Sequence, residues 1–161
     1  MGVGSALSRR KFLRWTTGAA GAIAVPQLVP GSALGMNGAV APSDRITLGA
    51  IGIGNRGTYV LNCFLNEPDV CFVAVAEVKK ARREAVKKVA DTKYGNDECK
   101  TYRDLRELLA RPDIDAVLIA TGPNWHATAA IMAAEAGKDV YCEKPCTKNI
   151  AQSLALAEAF R

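Results

Sequence analysis

The sequence predicts an α/β fold in which a parallel sheet is doubly wound, with helices on both faces. Three observations predict it. The apolar run Ile46 to Ile51 is followed at once by Gly52-Ile53-Gly54-Asn55-Arg56-Gly57, a G-x-G-x-x-G turn where a strand ends and a helix can begin. Beyond it, short apolar runs alternate with longer segments of helical period, which is the pattern of parallel strands joined by crossover helices. The second apolar run, Cys71 to Ala76, ends in Glu77, 20 residues past Gly57. That is the spacing at which a dinucleotide-binding βαβ unit keeps the carboxylate that bonds ribose hydroxyls.

The first 41 residues stand apart from this pattern. Ser8-Arg9-Arg10-Lys11-Phe12-Leu13-Arg14 is a twin-arginine export pattern, and a mildly apolar stretch rich in Ala and Gly runs from Trp15 to Val29, interrupted by Pro26. It holds too few strongly apolar residues to make a good membrane span. Residues 1–41 are therefore expected to be a signal peptide, with the twin-arginine translocase as partner and the periplasm or cell envelope as destination. Without cleavage the same segment would serve as an N-terminal anchor. Small residues near Ser32–Gly35 and at Ala39-Val40-Ala41 are the candidate cleavage sites. This export route carries folded cargo, which suits a protein that closes around a cofactor before it leaves the cytoplasm.

Residues 42–161 are expected to form one nucleotide-binding domain, entered through Pro42–Asp44. Arg45–Ile51 reads as the first strand and Thr58–Asn66 as a helix with Val60, Leu61, Phe64 and Leu65 on one face. After the strand Cys71–Ala76, the segment Lys79–Ala90 reads as a helix that turns Ala81, Ala85 and Val89 toward the sheet. Lys100–Tyr102 is a short strand, and Asp104 can cap a helix that reaches Ala110. Ala116–Ala120 is a continuous apolar run, as expected of a strand buried on both faces. Ala127–Ala136 is an alanine-rich helix, and Gly137 is placed to end it in the left-handed conformation. Asp139–Cys142 is the next strand, and Ile150–Phe160 opens another helix.

Charge and cysteine usage narrow the function classes. The formal net charge is +5, but the leader contributes +4 through Arg9, Arg10, Lys11 and Arg14, and the remainder is balanced with 17 basic and 16 acidic residues. The folded part therefore gives no reason to expect nucleic-acid binding. The five cysteines form no C-x-x-C pair and His126 is the only histidine, so no metal site is expected. Cys63 and Cys71 fall on the expected core faces. Cys142 and Cys146 flank Glu143-Lys144-Pro145, where a reactive thiol is conceivable.

Ligands of an open parallel sheet bind beyond the carboxyl ends of its strands. Three segments meet there: the glycine turn, Thr121-Gly122-Pro123-Asn124-Trp125-His126, and Glu143-Lys144-Pro145. In the turn, the first glycine permits the bend, the second lets the backbone approach a pyrophosphate, and the third lets helix and strand pack closely. The helix N-terminus adds unpaired N–H groups and partial positive charge. The basic cluster Lys79, Lys80, Arg82, Arg83, Lys87 and Lys88 reads as a solvated face, with a phosphate site for NADP as the sharper alternative. Glu77 opposes that alternative by repelling a 2′-phosphate, so NAD is expected over NADP.

With these residues in view, Arg45 to Arg161 resembles the N-terminal half of the Gfo/Idh/MocA oxidoreductases. The resemblance rests on the glycine turn, Val73-Ala74-Val75-Ala76-Glu77, Ala120-Thr121 with His126 five residues on, Glu135-Ala136-Gly137-Lys138 and, most specifically, Glu143-Lys144-Pro145. It implies a Rossmann fold and hydride transfer between a nicotinamide and a sugar or polyol carbon. It implies that Gly52, Gly54, Asn55, Arg56 and Gly57 hold the pyrophosphate, and that Glu77 takes the adenosine ribose. Thr121, Pro123, Asn124, Trp125 and His126 would line the cofactor pocket, and Glu143 would approach the nicotinamide ribose. Lys144 would be the catalytic residue beside the nicotinamide, polarising the substrate oxygen. The sequence departs from the family where Gly122 separates the threonine from the proline, and where Glu77 replaces the commoner aspartate. The resemblance also implies a second α/β domain carrying an Asp-x-x-x-His general base and the homo-oligomer surface. The chain stops at Arg161 before it, so the domain is read as truncated and the second domain as absent. Two alternatives stay open: an NAD-dependent glycosidase of the same family, and a dinucleotide-binding fragment without catalysis.

Overall fold

A computed structural model describes residues 31–36 and 40–161, and the twin-arginine pattern lies outside these residues. Five strands alternate with five α-helices: β1 Ile46–Ile51, α1 Asn55–Phe64, β2 Val70–Ala76, α2 Lys80–Tyr94, β3 Lys100–Tyr102, α3 Leu105–Leu109, β4 Ala116–Ile119, α4 Pro123–Glu135, β5 Asp139–Cys142 and α5 Ile150–Ala159. Pro42–Asp44 forms a single 3-10 turn at the entrance. The strands make one sheet in the order β3-β2-β1-β4-β5, and every pairing is parallel. This is the doubly wound Rossmann arrangement expected from the sequence. Its topology reverses between β1 and β4, and a crevice opens beyond their carboxyl ends.

Alternation along the strands builds a core on each face. On one side Leu48 and Ala50 of β1, Phe72 and Val75 of β2 and Leu118 of β4 pack with Val60, Leu61 and Leu65 and with Val86 and Ala90 of α2. On the other, Ile51, Ala74, Val117 and Ile119 pack with Leu108 and Leu109 and with Ala129, Ala130 and Ala133 of α4. The small alanine face of α4 lets that helix lie close to the strands. Gly137 then leaves it with φ +68°, the left-handed conformation foreseen for this position.

Three expectations are corrected. First, α2 buries Val86 and Ala90, whereas Ala81, Ala85 and Val89 are exposed. The alanine spacing of four is matched by a second stripe one residue along, and the larger Val86 wins the inward position. The helix also continues to Tyr94, whose hydroxyl accepts a hydrogen bond from the Phe72 amide at 3.0 Å. Second, Cys63 is exposed and Cys71 only half-buried. The inward stripe of α1 is Gly57, Val60 and Leu61, which turns residue 63 outward. Third, α1 and α4 start earlier than their apolar periodicity, at Asn55 and Pro123. The glycine turn and the Thr121 segment thus flow directly into first turns of helix rather than into loops.

Candidate functional site

The glycine turn is shaped by contacts that no other residue could keep. Gly52 has φ +72°, a conformation that L side chains rarely adopt, and its amide donates to the Ala76 carbonyl at 2.8 Å. A Cβ there would overlap Thr121 Cγ2 and lie 2.8 Å from Thr121 Cα. Gly57 is buried where a Cβ would lie 2.9 Å from Ala120 Cβ. Strand end, helix start and the end of β4 are therefore in mutual contact through two glycines. Gly54 caps α1 with backbone alone, and no acidic side chain occupies the first turn. The first helical bond in the turn runs from Thr58 N to Gly54 O, so the preceding amides of the helix have no intrahelical acceptor. An exposed, uncapped helix start of this kind attracts an anion.

The turn opens into a cavity of about 750 Å³, a volume ordinary for a small-molecule site. Its wall includes Gly52, Gly54, Asn55, Arg56, Gly57, Glu77, Thr121 and Trp125 from the expected set. Glu77 is buried at the tip of β2, and its Oε1 accepts from the Lys79 amide at 2.8 Å. Trp125 is 55% exposed and lies along the mouth.

Pro123, Asn124, His126, Glu143 and Lys144 do not line this cavity, though Glu143 and His126 are tied to its walls. Glu143 is buried and accepts from Arg56 Nε at 3.0 Å, joining the β5 tip to the first turn of α1. Asn124 Oδ1 accepts from Lys148 Nζ at 2.6 Å. His126 is 2% exposed, with Nδ1 2.7 Å from the Pro145 carbonyl oxygen and Nε2 2.9 Å from that of Thr121. Its ring is thus a strut between the ends of β4 and β5, with both nitrogens engaged by backbone. A ring with one N–H serves one of these carbonyls, and a ring with two serves both. Pro123 occupies the first turn of α4, where its missing N–H costs nothing. Lys144 is exposed between Glu143 and Pro145 and is held through those neighbours.

Four basic residues at the cavity, Lys79, Arg82, Arg103 and Arg106, were not singled out from the sequence as part of one wall. Arg82 reaches over the glycine turn, its Nη1 3.4 Å from where a Gly54 Cβ would stand. Arg103 and Arg106 follow β3 on the same rim. In the sequence Arg82 reads as part of a solvated face, with a phosphate site as the sharper alternative, and the signal for Arg103 is its position directly after an edge strand whose carboxyl end faces the crevice. The Arg106 amide also donates to Asp104 Oδ1 at 2.9 Å, and that bond holds the Asp104 carboxyl below the usual carboxylate range.

A family model described as "Oxidoreductase family, NAD-binding Rossmann fold" matches residues 46–161. The chain is 35% identical over 104 residues to a myo-inositol 2-dehydrogenase of Thermotoga maritima, an alignment covering 65% of this chain and 29% of that protein. It is 31% identical over 159 residues to a glycosyl hydrolase family 109 protein of Saccharopolyspora erythraea, covering 89% and 34% respectively. Among solved structures, a probable dehydrogenase from Thermotoga maritima superposes with a TM-score of 0.64 at 31% identity, over 71% of this chain and 33% of that one. The chain spans about a third of the length of the relatives it matches.

Proposed function

Since this chain belongs to the Gfo/Idh/MocA oxidoreductases, with their NAD-binding Rossmann fold over residues 46–161, we propose that it supplies the nucleotide site for hydride transfer to or from a sugar or polyol carbon. The observation that carries this reading is the cradle at Gly52: a left-handed glycine pressed on Thr121, beside an uncapped helix start and across from a buried carboxylate. These features fit a dinucleotide on physical grounds. The turn brings the uncapped start of α1 to the cavity wall, its amides would donate to phosphate oxygens, and Glu77 would accept from ribose hydroxyls.

NAD, when bound, supplies the hydride chemistry. The remaining tasks fall to this chain's own residues. Gly52, Gly54, Asn55, Arg56 and Gly57 bind and orient the pyrophosphate. Glu77 selects a ribose with a free 2′-hydroxyl, so NADH is expected to bind more tightly than NADPH. Arg82 is the residue on the cavity wall that favours the phosphorylated alternative. Trp125 shields the mouth from water. Lys144 holds its ammonium toward the substrate oxygen, where it stabilises negative charge as that oxygen gains it. His126 and Arg56 fix the segment on either side of Lys144 and so keep that ammonium in position.

Titrating NADH and NADPH separately into the purified chain, with nicotinamide fluorescence as the readout, tests the binding step. Saturable NADH binding that Gly52→Ala removes is the expected result; a chain indifferent to NADH has no such site. A panel of polyols, myo-inositol among them, then tests oxidation of substrate by absorbance of the reduced cofactor. A second reading is favoured by the glycosyl hydrolase relatives: transient oxidation of a glycoside and its cleavage. It predicts sugar release with no net accumulation of NADH, which the same absorbance assay separates from simple dehydrogenation.

The leader supports a further proposal. The Arg9-Arg10 pattern and the weakly apolar stretch after it fit export by the twin-arginine translocase to the periplasm or cell envelope. Arg9→Lys with Arg10→Lys should leave the protein in the cytoplasmic fraction.

A further inference from the structure

We propose that Cys142 and Cys146 are a redox pair, and that thiol–disulfide exchange closes them into an internal disulfide bracketing Glu143, Lys144 and Pro145. The chain leaves β5 at Cys142 and doubles back so that Cys146 Sγ lies 4.0 Å from the Cys142 carbonyl oxygen. Cys142 Sγ lies in the same turn, 3.5 Å from the Glu143 carbonyl oxygen. Among the described residues, no group of three or more His, Cys, Asp or Glu side chains is placed to hold a metal ion, so the pair is not half of a metal site. The other thiols lack such a neighbour in sequence: Cys63 is exposed on the outer face of α1, Cys71 is half-buried on β2, and Cys99 is buried.

Unequal exposure assigns the two roles. Cys146 is exposed and meets a dissolved oxidant first, whereas Cys142 is half-buried at the strand end. Burial also pushes the Cys142 thiol up to about 12, which makes it the slower attacking partner. With a low-molecular-weight disulfide such as oxidised glutathione, the Cys146 thiolate attacks one sulfur and one glutathione leaves as a thiol. Cys142 then gives up its proton and attacks the Cys146 sulfur, and the second glutathione leaves. The protein loses two electrons and two protons, and the reagent is reduced to two thiols. The bond would close a ring over a segment already tied at Glu143 to Arg56 and at Pro145 to His126. The redox state of the pair then governs how freely Lys144 moves at the crevice. That consequence rests on the proposed cofactor site; the bond itself does not.

The test treats the folded chain with oxidised glutathione, blocks remaining thiols by alkylation and digests with trypsin. Trypsin does not cut Lys144–Pro145, so residues 139–148 carry both cysteines in one peptide. That peptide is expected to lose two hydrogens and take no alkyl group, while exposed Cys63 keeps a glutathione. Cys142→Ser should trap Cys146 as a mixed disulfide, with about tenfold more adduct at that residue than in the wild-type protein. Glutathione retained on wild-type Cys146, or complete alkylation of both thiols while Cys63 is modified, overturns the pair. NADH titration before and after oxidation addresses the consequence. A changed affinity that a reductant reverses supports it, and an unchanged affinity with the bond formed overturns it. A reduced chain that binds no NADH defeats the cofactor reading while leaving the mass result to decide the disulfide.

Discussion

At the scale of single residues, the site depends on positions where one atom too many is decisive. Gly52→Ala adds a methyl into Thr121 and demands a left-handed alanine. The backbone conformation alone costs about 1–2 kcal/mol, and the overlap is with backbone as well as side chain, so relaxation must move the end of β4. Chemical denaturation should show a loss beyond that figure, together with loss of NADH binding. Gly57→Ala meets Ala120 Cβ and Ile53 and should cost about 1–3 kcal/mol through overpacking. His126 acts differently. His126→Leu keeps the volume but removes the ring nitrogens from two part-buried carbonyl contacts, for a loss of about 1–3 kcal/mol. His126→Gln, which returns one donor, should recover part of it in the same unfolding experiment. A leucine variant as stable as wild type would show that the strut is incidental.

At the scale of elements, α1, α2 and α4 start without a side-chain cap, and the other two helices have one. α3 and α5 are capped by side chains, Asp104 accepting from Arg106 N and Asn149 from Gln152 N, each at 2.9 Å. Asn149→Ala should therefore lower stability by about 1 kcal/mol. Asp104 adds a pH signature. Its folded pKa is depressed by the bond from the Arg106 amide, so the stability it contributes is present above the unfolded value near about 4 and is lost as pH falls through the folded value. Thermal melts from neutral to acid pH should steepen in that range, and Asp104→Asn should flatten the dependence. α1 has no side-chain cap at all. A cap such as Gly54→Asp would bring a carboxylate to the helix amides in competition with phosphate, and should weaken NADH while sparing the fold.

At the scale of the whole molecule, binding and stability are linked. A ligand held only by the folded crevice stabilises it by about 2.7 kcal/mol at roughly a hundredfold excess over Kd. For a domain of this size that shifts Tm by on the order of 10 °C. NADH should produce the larger shift and NADPH the smaller, and Glu77→Gln should narrow the gap by removing the negative charge at the tip of β2. Equal shifts for both cofactors in wild type would show that Arg82 and the rest of the basic rim offset Glu77.

What the sequence determined by itself was the local chemistry and the order of parts. The strand–glycine–helix–strand–acid succession, the alanine face of α4 and the left-handed Gly137 were all legible, because each follows from backbone sterics or from side-chain period within a few residues. Glu143-Lys144-Pro145 could likewise be seen to end a strand. Only the tertiary structure decided which of two alanine-spaced stripes α2 buries, because that depends on Val86 and Ala90 packing into one cluster with Phe72 and Val75 of the sheet. Packing across the sheet also decided that His126 is a strut rather than a wall residue, that Arg56 reaches Glu143 across 87 positions of chain, and that Arg82 and Arg103 share one rim. Period and propensity describe neighbours along the chain; these contacts join residues brought together only when the parallel strands come into register.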